Sequence, residues 1–97
     1  MIKGQIKSGF KFSVDERILE DWRVVDAIGL SESEDASEQI KGARALVDLV
    51  LGKDKDKFMD HIAKQNDGFV PAAAITAGVA EIITTSKELK NSQSSAG

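Results

Sequence analysis

The residues with the most chemical potential lie in one stretch, "GKDKDKFMDHIAKQ", residues 52–65. It holds the chain's single histidine, His61, next to Asp60. A histidine beside a carboxylate is raw material for general acid–base work or metal binding. Zinc asks for three or four ligands, and no cysteine and no second histidine exists to join His61. His61 is therefore read as a surface or boundary residue. Asp54 and Asp56 open like a calcium loop, but Met59 stands where that loop needs glycine and Gln65 where it needs glutamate. Gly52-Lys53 resembles the end of a phosphate-binding loop, yet Val47 replaces the earlier glycine and Asp54 the Ser or Thr that would hold magnesium. Paired carboxylates could drive glycoside hydrolysis. Here the acids cluster in "SESEDASE" and on expected helix surfaces, where solvation explains them. The expectation is a non-enzyme with no catalytic, cofactor-binding or metal-binding residue and no cofactor.

The frame around these residues is small. The chain has 97 residues, enough for one domain with a modest core. A formal net charge of −3 argues against nucleic acid as the main partner. The absence of cysteine excludes a disulfide framework and suits a reducing cytoplasm. "PAAAITAGVAEII" is too short for a membrane span and contains Glu81, so no membrane partner is expected. "MIKGQIKSGF" lacks the apolar core of a signal peptide.

The periodicity predicts a mainly α fold: a small bundle of about four helices with a short N-terminal β-strand or hairpin. Phe10, Phe12 and Val14 alternate with Lys11 and Ser13, the strand period, and "KSG" can turn the chain back onto residues 2–6. Ser13 with Glu16 fits a capping box for a first helix over 14–28, with Ile18, Leu19, Trp22, Val25 and Ile28 inward and Gly29 just past its end. Residues 31–38 form an acidic, serine-rich linker. Ser37 or Asp35 caps a second helix over 37–51. Its apolar set, Ile40, Ala43, Leu46, Val47, Leu49, Val50 and Leu51, makes it the most buried of the helices. Asp54 caps a short third helix with Phe58, Met59, Ile62 and Ala63 inward. After the turn "QNDG", Pro71 opens a fourth helix to about residue 90, with Ile75, Val79, Ile82, Ile83 and Leu89 inward. Residues 1–90 make the domain, and 91–97 a disordered Ser-rich tail.

Two helices and a turn across 55–86 could suggest a DNA-binding motif. Residues 69–86, "FVPAAAITAGVAEIITTS", contain no Lys, Arg, Asn or Gln to reach base edges or phosphates. Binding through surfaces is what remains. The fourth helix is rich in small residues, Ala73, Ala77 and Gly78 among them. Such a face either seats another chain or packs tightly on the second helix. Trp22 and Phe69 either anchor a partner or fill a core poor in aromatics.

In order, "SGFKFSVDERILEDW", the acidic linker, "ALVDLVLGKDKDKFMDHI", "NDGFVPAAAI" and "EIITTSKELKNSQSS" resemble the tail assembly chaperones of long-tailed bacteriophages. The likeness is to the branch found in phages and prophages of Gram-positive bacteria and covers about residues 9–95. It implies a protein that keeps the tape measure protein soluble, helps recruit major tail tube subunits, acts in the cytoplasm of the infected or lysogenic host, and is absent from the mature virion. It also implies that a ribosomal frameshift near the end of the short form can add an extension. The family offers no short motif to carry over, so the expected protein-binding residues are surfaces: Phe10 and Phe12 with Trp22, then Phe69, and the Ala73, Ala77 and Gly78 face. A homo-oligomer is compatible with this. The rivals are a small phage regulator that binds a host protein or DNA, and a structural head–tail connector.

Overall fold

The computed structural model describes residues 1–95, and the side chains of residues 1–91. Strand period in the first residues gives an antiparallel hairpin of β1 (Ile2–Gln5) and β2 (Lys11–Val14). Ile2 pairs with Val14 and Gly4 with Phe12, which sends Ile2, Phe12 and Val14 inward and leaves Lys3, Gln5 and Lys11 exposed. The turn closes through the Ile6 N–H to the Phe10 carbonyl at 3.0 Å and the Gly9 N–H to the Ile6 carbonyl at 2.9 Å. The rest of the described chain is mainly helical.

The single helix expected over 14–28 is broken in two. A 3-10 turn covers Glu16–Glu20, Asp21 is extended with ψ 126°, and α1 runs over Trp22–Ser31. The caps are Asp15 and Asp21, not Ser13. Each carboxylate accepts from the backbone N–H two residues on, Arg17 at 2.9 Å and Arg23 at 2.8 Å. An Asp that binds its own local backbone competes with helix continuation, and here the second Asp wins and restarts the helix. The restart changes which face is buried. Val24 and Ala27 point into the core, while Trp22 and Val25, expected inward, are exposed, and Gly29 lies inside α1 rather than past its end.

The acidic linker shrinks to Glu32–Asp35, because Ser31 belongs to α1 and α2 (Ala36–Leu46) starts at Ala36. Asp35 caps α2 through the Ser37 N–H at 2.9 Å. The two helices pack closely because residue 42 is glycine: a Cβ there would lie 2.6 Å from the Ala27 carbonyl oxygen. The α-helix expected to 51 changes its winding, with a π turn over Val47–Leu51 and a 3-10 turn over Gly52–Asp54. Val47, Val50 and Leu51 are buried. Next comes α3 (Lys55–Gln65), whose expected cap, Asp54, makes no side-chain capping bond. Phe58 and Ile62 are its buried residues.

Pro71 sits just before α4 (Ala72–Ser95), and its carbonyl accepts from the N–H groups of Ala74 and Ile75. The end expected near residue 90 lies five residues further on, and residues 96 and 97 of the expected tail fall outside the described residues. Val79, Ile82 and Ile83 of α4 join Phe58, Ile2, Phe12 and Val24 in one core. The helix lies along β1, and its Glu81 carboxylate accepts the Lys7 N–H of the hairpin turn at 2.7 Å. No helix among the described residues is long and apolar enough to cross a membrane.

Candidate functional site

Folding brings His61 to Ser8, a serine that no sequence pattern singles out. Its Nε2 lies 3.2 Å from the Ser8 hydroxyl and 3.1 Å from the Ser8 carbonyl oxygen. A serine–histidine pair suggests an activated nucleophile. The carbonyl offers another role. A carbonyl oxygen can only accept, so in the tautomer with the proton on Nε2 the ring donates to it and has no lone pair there to take the hydroxyl proton. Gln65 donates to the same carbonyl at 2.7 Å. His61 and Gln65 are thus braces for the hairpin turn, with the Phe10 ring 5.5 Å from the imidazole. Among the described residues no group of three or more His, Cys, Asp or Glu could hold a metal ion.

The residues expected to bind a partner scatter. Phe10 and Phe12 are corrected to core positions: strand alternation turns Phe12 inward, and Phe10 meets Phe58 edge-on with ring centroids 5.0 Å apart. Both help line an open depression of about 520 Å³, together with Lys3, Lys11 and Lys57. Gly78 is buried against the Phe58 ring, while Ala73 and Ala77 are exposed, so the three do not form one face. Trp22 and Phe69 are both exposed, at 77% and 67%, on separate elements, the start of α1 and the loop before α4.

A better site lies where none of these residues sits. A groove of about 480 Å³ runs between α2, α3 and α4. Residues 40, 43, 44, 47 and 48 line one wall, 72, 75 and 76 the other, and 55 and 59 one end. Each set follows helical spacing, so each wall is one helix face. Ile40, Ala43, Val47, Met59, Ala72 and Ile75 supply the apolar lining. Ile40 is 60% exposed, although its place in the α2 pattern predicts burial. On the rim, Lys55 Nζ lies 3.0 Å from an Asp48 carboxylate oxygen. Arg44 forms no ion pair among the described residues. No local pattern in the sequence marks the groove: the exposure of Ile40 follows from where α3 and α4 lie.

The shifted carboxylates lie outside this groove. Arg17 holds Asp15 down at about 2, and Arg23 does the same for Asp21, in both cases mainly through side-chain hydrogen bonds. Ser37 lowers Asp35 in the same way. These are the helix-start carboxylates, so the shifts belong to caps and not to a reactive centre. No protein-family model, curated protein or solved structure matches the chain.

Proposed function

We propose that this chain is a protein-binding assembly chaperone of the kind its sequence resembles. It would hold the tape measure protein of a long-tailed phage in soluble form and help recruit tail tube subunits, in the cytoplasm of the bacterial host and outside the finished virion. The four helices α1–α4, bundled over the hairpin, would be the holding scaffold. The observation that carries this reading is the uncovered apolar groove with Ile40 at its wall. Apolar surface left exposed in a concave site marks a place for a partner, and grooves between helices commonly receive another helix. No redox, metal or nucleophilic role is assigned to any residue.

Co-expression with the tape measure protein of the same phage tests the proposal. The expected result is that the tape measure protein moves to the soluble fraction and co-purifies with this chain, and that purified virions lack the chain. A tape measure protein equally insoluble with and without the chain overturns the reading. Stoichiometric presence of the chain in virions overturns it in favour of a connector.

A further inference from the structure

We infer that the groove between α2, α3 and α4 takes an amphipathic helix whose edge facing Arg44 is acidic. This rests on the protein-binding reading above and names the class of partner for that site.

The walls select a helix over an extended segment. Both are faces of helices, whose backbone N–H and C=O groups are already used internally. An extended peptide laid on the apolar floor would find no sheet edge to pair with and would leave its own backbone groups unsatisfied. A helix brings its backbone bonds with it. Its apolar stripe at i, i+3, i+4 and i+7 matches the ridges that residues 40, 43, 44 and 47 and residues 72, 75 and 76 present.

Charge then selects among helices. Asp48 compensates Lys55 at one end of the groove. Arg44 lies one turn beyond Ile40 on the same α2 face and is the rim charge that has no ion-pair partner among the described residues. An acidic side chain along that edge would meet it, and a basic one would be repelled. An apolar floor whose one cation without an ion pair among the described residues is Arg44 does not suit nucleic acid, which asks for several phosphate contacts.

The test uses the full chain and fluorescent designed peptides of about 18 residues, long enough to sustain a helix. One has a leucine stripe flanked by glutamate, one the same stripe flanked by lysine, and one the first composition in scrambled order. Fluorescence anisotropy should show the glutamate-flanked helix binding more tightly than the lysine-flanked one by about two- to five-fold, the size of an exposed ion pair, and the scrambled peptide not binding. Ile40 is exposed, so Ile40→Asp should leave the circular dichroism spectrum unchanged and weaken binding at least about ten-fold. Arg44→Glu should reverse the preference between the two helices.

Equal binding of the two flanked helices, or wild-type affinity in Ile40→Asp, overturns the inference. So does a wild-type chain that sediments as an oligomer and becomes monomeric with Ile40→Asp, which would make a second copy the occupant. Peptide binding as expected beside an insoluble tape measure protein would leave the groove assignment standing and remove the chaperone reading. The opposite pair of results would do the reverse.

Discussion

Gly78→Ala places two effects of known sign against each other. In the interior of α4 the substitution should stabilise by about 1 kcal/mol, because glycine is the poorer helix former. The structure opposes it. A Cβ on residue 78 would lie 3.1 Å from Cε1 of Phe58 and closer still to Cζ. Phe58 has no solvent-exposed side to retreat to, since it is fully buried and packs edge-on against Phe10. Overfilling a packed core typically costs about 1–3 kcal/mol. The balance is a net loss of about 1 kcal/mol, or roughly 4–8 °C in melting temperature for a domain of this size. Urea unfolding followed by far-UV circular dichroism measures it. The reasoning gains a control from Phe58→Leu, which removes the ring edge. In that background Gly78→Ala should stabilise, by up to about 1 kcal/mol. A Gly78→Ala protein more stable than wild type would refute the account, as would a substitution that destabilises equally in both backgrounds.

Ser86 is buried in α4, and its hydroxyl finds no hydrogen-bond partner among the described residues. Ser86→Ala removes that desolvated group and improves helix propensity, so the urea midpoint should rise by the equivalent of about 1 kcal/mol, and a fall would show that the hydroxyl is satisfied. Asp15 and Asp21 should titrate near 2 in an NMR pH series, against an ordinary value of 3.8. Because the folded values are depressed, their contribution to stability is in place above the unfolded value and is lost as pH falls from about 4 toward 2. Arg23→Gln should return Asp21 toward its ordinary value and leave Asp15 unmoved; an Asp21 midpoint near 3.8 in the wild type would contradict the assignment.

The features read from local pattern were the hairpin, a cap at Asp35 or Ser37 that the structure places on Asp35, and the inward faces of α3 and α4, because alternation, a capping side chain and a 3.6-residue stripe are local properties. The break before Trp22 was legible too, in a repeat that the capping-box reading passed over: "DER" at 15–17 and "DWR" at 21–23 each put an aspartate two residues before an arginine. That spacing lets one carboxylate cap a turn and pair with the guanidinium, and the second copy restarts the helix one face round. Gly42 and the groove were not legible. Gly42 answers to the Ala27 carbonyl on another helix, and the groove needs three helices to be placed before Ile40 can be seen to stay uncovered. Phe10 and Phe12 mislead for the opposite reason: an aromatic residue in a short strand reads alike whether it meets a partner or its own core.

The hairpin turn has a consequence for synthesis. Its backbone is pinned by residues 53 to 74 positions away, Ser8 to His61 and Gln65 and Lys7 to Glu81. Contacts of such separation require large loops to close before they contribute anything. A ribosome delivers β1 well before the helix that lies on it. Until α4 has left the exit tunnel, Ile2 and its neighbours on β1 have no helix over them, and no amino-terminal fragment that stops short of α4 can complete the core. The nascent chain therefore carries the apolar face of β1 uncovered until α4 has been made, and this core closes only then.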